Sequence, residues 1–247
     1  MIRIFTDYGL NGPYAGQLHG VLKRNAPEAP AIDLMHDAPA RNPRAAAYLL
    51  AALTSELAEG DVCLAVVDPG VGGARPPVIV LADGKRFVGP GNGLFEIIQR
   101  RARTAKAWTI DWRPETLSAT FHGRDLFAPV AAMLTRGHWP ACTPMAENWR
   151  KDPGRPGARW PDDLDEAIYT DGFGNVMTGR RAAGMSDRAT VEIAGKLFSR
   201  AHTFGDVAES QGFWYENSLG LVEISVNGGS AAQQYGIATG DPVTIRK

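Results

Sequence analysis

The stretch Asp61-Val62-Cys63-Leu64-Ala65-Val66-Val67-Asp68-Pro69-Gly70-Val71-Gly72-Gly73-Ala74-Arg75 decides the fold. Its first half is an apolar run with the pattern of a strand covered on both faces. Its second half can neither continue that strand nor start a regular helix, because a proline and three glycines lie between Asp68 and Arg75. The loop therefore holds two charged ends at the carboxyl end of a buried strand, where open α/β sheets collect their chemistry. A glycine-rich turn with two solvated charges is the plainer reading of the same residues.

Upstream, Ile2 to Phe5 reads as a strand ending in Thr6-Asp7-Tyr8-Gly9. Tyr14 to Arg24 has helical spacing and stops at Asn25-Ala26-Pro27, and Ala31 to Met35 is a second strand. Asn42-Pro43 caps and starts a helix expected to run to Glu59 and stop at Gly60. Downstream come extended runs at Val78 to Leu81 and Phe87-Val88, then the turn Gly89-Pro90-Gly91-Asn92-Gly93. Leu94 to Arg101 is expected to be helical, Ala107 to Ile110 extended and Arg124 to Leu134 helical. This alternation predicts an α/β domain over residues 1–137, with a mainly parallel sheet and helices on both faces. Residues 138–164, rich in Pro, Gly and Trp, have the composition of a linker. Short runs at 189–193, 196–198, 213–215, 221–226 and 242–245 predict a small antiparallel all-β, barrel-like domain over 165–247, with a turn or two of helix at Ser230 to Tyr235.

Hydrophobic residues make up 44% of the 247 positions and charged residues 21%, a globular composition. The formal net charge of −1, with Lys and Arg scattered, gives no footprint for nucleic acid or for an anionic membrane surface. The basic cluster Arg100-Arg101-Ala102-Arg103 reads as a helix C-terminus favoured by the dipole. The longest apolar run, Ala45 to Leu53, is far short of the roughly 20 residues a bilayer requires. Strand-like sequence begins at Ile2 with no leader before it, so a cytoplasmic protein is expected. Cys63 and Cys142 supply neither a disulfide framework nor a zinc site.

Polar groups collect at four expected strand ends: Asp7-Tyr8, Asp68 with Arg75, the turn carrying Asn92, and Thr120-Phe121-His122-Gly123-Arg124-Asp125. The Gly89 to Gly93 turn lacks the spacing of a dinucleotide fingerprint, and neither a Walker A lysine nor a nucleophile elbow is present. Asp7, Asp68, Asp125 and His122 are donors that suit a hard or borderline metal, as in a phosphoesterase. They include no closely spaced His/Asp pair, so no metal is expected.

These blocks, together with Tyr14-x-Gly16-Gln17, Phe127-Ala128-Pro129, Asp171-Gly172-Phe173-Gly174-Asn175-Val176, Asn217-Ser218-x-Gly220-x-x-Glu223-Ile224 and Gly229-Ser230-Ala231-Ala232, resemble the S-adenosylmethionine hydrolase (adenosine-forming) family, or SAM hydroxide adenosyltransferases. The resemblance covers nearly the whole chain in order. It implies a homotrimer whose active sites lie between the N-terminal domain of one subunit and the C-terminal domain of its neighbour. It also implies attack of water on the ribose 5′ carbon of S-adenosyl-L-methionine, with no cofactor, to give adenosine and L-methionine. By analogy Asp68, Arg75 and His122 are the water-activating trio and Asp7 the ribose-hydroxyl ligand. Phe173, Asn175 and Phe204 fall where adenine contacts are expected, with Asp171 and Ser218 near the two ends of the methionine part. Tyr8, Asn92 and Ala232 lie in the matched blocks and are expected to contact substrate. The related halogenases carry Tyr-Ser or Tyr-Gly where this chain has His122-Gly123, and an Arg where it has Leu219.

The chemistry asks for such residues independently of the name. A sulfonium leaves as a neutral thioether, so the difficulty lies in the nucleophile. Water, with a pKa of about 15.7, needs a base or a cation beside it, and general base catalysis is worth roughly 10²–10⁴-fold. Three rivals stay open at this stage: a chlorinase-type halogenase, a protein that binds the nucleoside without turning it over, and a metal phosphoesterase.

Overall fold

Strand β3 (Val62–Val66) is an interior strand of a seven-stranded sheet and is buried along its whole length, as its unbroken apolar sequence requires. The structure is a computed structural model, and it describes residues 1–55 and 57–246. The chain divides into two compact units, Met1–Arg159 and Trp160–Lys247.

In the first unit β1 (Ile2–Thr6), β2 (Ala31–Met35), β3, β4 (Pro77–Ala82), β5 (Lys85–Pro90), β6 (Ala105–Ile110) and β7 (Cys142–Pro144) form one sheet in the order β2-β1-β3-β5-β4-β6-β7. Parallel pairing joins β2 to β1, β1 to β3 and β3 to β5, whereas β5/β4, β4/β6 and β6/β7 are antiparallel. The sheet is therefore mixed, which corrects the expectation of a mainly parallel one. The cause is local. Asp83 and Gly84 both take positive φ, at 45° and 78°, and close a two-residue hairpin between β4 and β5.

Helices α1 (Tyr14–Asn25) and α4 (Ala128–Thr135) pack with Ile2, Ile4, Val62, Leu64 and Val66 in one core, while the intervening Cys63 and Ala65 are equally buried on the opposite face. Helix α2 (Pro43–Leu53) begins as expected, with the Asn42 side chain accepting from the Ala45 N–H at 3.1 Å and Pro43 in the first turn. It ends at Leu53 rather than Glu59, and Glu56 lies outside the described residues. Helix α3 (Glu96–Arg101) is short. A π-helical turn, Gly123–Phe127, runs directly into α4.

Residues 138–159 are not a free linker. β7 extends the sheet edge against β6, Arg155 pairs with the buried Glu96, and Arg150 donates to the Gln99 carbonyl at 2.6 Å. The second unit begins at Trp160. Its strands are β8 (Leu164–Thr170), β9 (Val176–Arg181), β10 (Thr190–Ile193), β11 (Lys196–Phe198), β12 (Gly212–Glu216), β13 (Leu221–Val226) and β14 (Thr244–Arg246). They pair antiparallel as a four-stranded sheet β12-β13-β9-β8 and a three-stranded sheet β11-β10-β14. Single bridges, Glu166 with Pro242 and Arg200 with Trp214, link the two sheets. Helix α5 (Ala231–Tyr235) is capped by the Ser230 side chain, and Trp214 is fully buried in the core of this unit.

Candidate active site

Parallel pairing of β1 with β3 places Thr6 beside Val66, so the two chains leave the sheet as neighbours and carry Asp7 and Asp68 out at the same edge. Beyond Asp68 the loop closes in successive turns: the Val71 N–H reaches the Asp68 carbonyl at 3.3 Å, and the Gly73 N–H reaches the Gly70 carbonyl at 3.0 Å. These turns bring Arg75 back onto Asp68. Arg75 Nε donates to both carboxylate oxygens at 3.1 and 3.0 Å, and Nη2 adds a further contact to Oδ2. The same Nη2 donates to His122 Nδ1 at 2.9 Å. The Asp68 and Arg75 side chains are only 4% and 10% exposed, and the guanidinium lies 5.2 Å from the centre of the Phe127 ring.

Asp7, Tyr8, Asp68 and His122 line one cavity of about 410 Å³, together with Tyr14, Gln17, Phe121 and Arg124. Tyr8 approaches Gly123 so closely that a Cβ there would lie 2.1 Å from the phenol oxygen, so any side chain at this position in the π-helical turn would displace the Tyr8 ring. Tyr8, Tyr14 and Phe121 pack edge to face or tilted, with ring centres 5.2–6.0 Å apart.

Burial and the neighbouring Arg75 charge hold the His122 imidazole below its ordinary pKa of 6.5, against the pull of Asp68. Because a guanidinium can only donate, Nδ1 of His122 is the acceptor, and in the neutral ring the proton sits on Nε2. Burial raises the Asp7 carboxyl and the Asp68 charge adds to this, while a hydrogen bond from the Arg41 N–H at 2.9 Å opposes them. Asp125 is committed elsewhere, to Arg124 and to the Ser118 N–H at 3.0 Å. Asp68 and Asp125 thus face cations already, and the four donors considered for a metal are not gathered around one point.

Asn92 stands apart from this cavity. Its amide donates to the Val67 carbonyl at 2.9 Å and its oxygen accepts from the Leu94 N–H at 3.3 Å, so it braces the residue before Asp68.

In the second unit Asp171, Phe173, Asn175, Phe204 and Ser218 line a single cavity of about 870 Å³. Asp171 accepts from the Phe173 and Asn175 N–H groups and from the Asn175 side chain, each at 2.9 Å. Phe173 is 83% exposed, and Phe204 packs edge-on against Phe213 and Tyr215. Ala232 is placed beside this turn by its N–H, which donates to the Gly174 carbonyl at 3.0 Å. Tyr215, Asn217 and Glu223 also line the cavity and had no assigned role in the sequence reading. Tyr215 and Asn217 both donate to the buried Glu223, whose carboxyl is raised chiefly by that burial. Asn217 and Glu223 stand in the block Asn217-Ser218-x-Gly220-x-x-Glu223-Ile224, which was the available signal.

Residues 2–143 match the model for the SAM hydroxide adenosyltransferase N-terminal domain, and residues 165–244 match that for the C-terminal domain. The chain is 38% identical to an (R)-S-adenosyl-L-methionine hydrolase of Thermus thermophilus, covering 99% of this chain and 98% of that protein. It is 36% identical to the enzyme of the same name from Salinispora tropica, over 99% and 97%. A crystal structure of an uncharacterized conserved protein from Thermotoga maritima superposes with a TM-score of 0.84 at 30% identity, covering the whole of both chains. No helix among the described residues is long and apolar enough to cross a membrane.

Proposed function

The chain belongs to the SAM hydroxide adenosyltransferase family, and from that premise we propose that it hydrolyses S-adenosyl-L-methionine to adenosine and L-methionine. Oxygen of water bonds to the ribose 5′ carbon, the carbon–sulfur bond breaks with its electron pair going to sulfur, and one proton is released. The observation that carries this reading is that Arg75 bridges Asp68 to His122, two residues that line the same cavity as Asp7.

The donor pattern supports the following division of roles. Arg75 is a fixed cation, and the neutral His122 ring offers Nε2–H. Both stabilise an attacking oxygen as it gains hydroxide character. Asp68 is the acceptor of the trio: its carboxylate keeps lone pairs beyond the Arg75 fork and takes the proton as the new bond forms. Asp7 holds the ribose hydroxyls, with Tyr8 forming the wall beside it.

The adenine contacts are assigned to Phe173, Asn175 and Phe204, and the methionine ends to Asp171 and Ser218, with Ala232 at the same turn. Asn92 supports the loop on which Asp68 sits. This division of labour follows the family pattern, and with it goes a homotrimer in which the second unit of a neighbouring copy completes each site, in a cytoplasmic enzyme that needs no cofactor for the reaction itself. Turnover in water enriched in heavy oxygen tests the reaction. Adenosine carrying one heavy oxygen at the 5′ position is expected, and adenosine without it, or no adenosine, contradicts the proposal.

A further inference from the structure

Outside the reacting trio, His19 on α1, Asp33 on β2 and His36 just beyond β2 bring their ligand atoms within 4.8 Å of one another. His19 Nε2 lies 2.8 and 3.1 Å from the two Asp33 oxygens, and His36 Nε2 lies 3.0 Å from Oδ1. His36 is 3% exposed, and its Nε2 makes no hydrogen bond despite that proximity. A buried ring nitrogen aimed into a cluster without a hydrogen-bonding partner requires an explanation.

The other edge of the ring supplies it. His36 Nδ1 lies 2.6 Å from the hydroxyl of the fully buried Thr6. A hydroxyl both donates and accepts; where Nδ1–H donates to it, a lone pair remains on Nε2, the arrangement in which an outer hydrogen bond orients a metal-bound histidine. A tetrahedral ion with bonds of about 2.0–2.1 Å holds its ligand atoms about 3.3 Å apart; here the Asp33 oxygens lie 2.8–3.1 Å from the two rings, and all the ligand atoms lie within 4.8 Å of one another.

We propose that His19 Nε2, His36 Nε2 and the Asp33 carboxylate bind one divalent ion of borderline softness, of which Zn²⁺ is the representative. Two imidazoles and a carboxylate suit such an ion better than Mg²⁺ or Ca²⁺, which take oxygen ligands. His19 and Asp33 are 37% and 41% exposed, which gives the ion an entry path and leaves a coordination position for water. The site would brace the loop after β1. The Gly9 N–H donates to the His36 carbonyl at 2.6 Å, and Tyr8 N–H and Ala38 N–H donate to the Thr6 hydroxyl and carbonyl at 3.4 and 3.1 Å. The ion would therefore clamp the segment that carries Asp7, as a structural element separate from the reacting trio.

The test is zinc titration of the untagged, full-length protein after chelator treatment, followed by calorimetry and by metal analysis after dialysis. One equivalent bound, a rise in melting temperature with zinc, and at least about a tenfold weaker affinity in both His19→Ala and Asp33→Asn are expected. His122→Ala should bind zinc like the parent chain. Because His19 and Asp33 sit at the surface, both variants should fold, which circular dichroism checks. Absence of binding at about 100 µM zinc, or undiminished affinity in either variant, would overturn the assignment and leave an ion cluster of histidines and aspartate.

Discussion

The His122 cavity of the first unit and the Phe173 cavity of the second hold their polar groups in opposite ways. In the first, the lining residues Asp68 and His122 are joined through Arg75, a side-chain contact between positions 47 residues apart. In the second, the bonds of Asp171 all fall within residues 171–175, and the turn they fix presents Phe173 outward. A reacting group must be held from several directions at once, whereas an aromatic surface for a flat ligand needs only a stiff local turn. The difference separates rate from affinity, and each prediction below strikes one side of it.

The largest effect is expected in the first cavity. His122→Ala and Asp68→Ala should each lower kcat by roughly 10²–10⁴-fold with KM changed by less than about tenfold, as loss of an interaction made in the transition state requires. Steady-state adenosine release checks both. His122→Gln, which keeps an N–H donor, should retain more activity than His122→Ala; equal loss would point to the imidazole as a base instead. Asp7→Ala should act on binding, raising KM about tenfold with a smaller change in kcat, and an unchanged KM would remove its ribose role.

Phe204→Ala, in the second cavity, should raise KM several-fold and leave the pH profile of kcat unmoved. Gly123→Ala should lower stability by about 1–3 kcal/mol through overpacking against Tyr8, measured as a lower denaturant midpoint. The smallest shift is in the acid limb of kcat. His122 must be neutral to accept from Arg75, and its pKa is depressed, so activity should be constant from neutral pH down and fall only below about 6.5. A limb above that value would mean that the ring is not neutralised as described.

Much of the first unit was legible because its elements carry their own punctuation. The Asn42-Pro43 helix start and the buried run of β3 each follow from residues within a few positions. The antiparallel hairpin of β4 and β5 was equally local: Asp83-Gly84 between apolar runs is its signal, and reading those runs as units of a parallel sheet overlooked it. β7 was hidden because residues 138–159 have linker composition, and their place in the first unit depends on remote partners such as Glu96. β8 and β9 were missed because charged residues interrupt their apolar alternation. For the site, sequence supplied the candidate side chains through the matched blocks. It could not supply the tautomer of His122, which is set by Arg75 across 47 positions, or the grouping of His19 with Asp33 and His36. Those juxtapositions exist only once β1, β2 and α1 are packed together.

The central claim is that Asp68 and His122 act as one device through Arg75. The measurement that tests it most directly is single-turnover adenosine formation by Asp68→Asn, His122→Gln and the double variant. A double variant no slower than the worse single one, within about threefold, is predicted for groups that work as a unit. Losses that simply multiply would contradict the account.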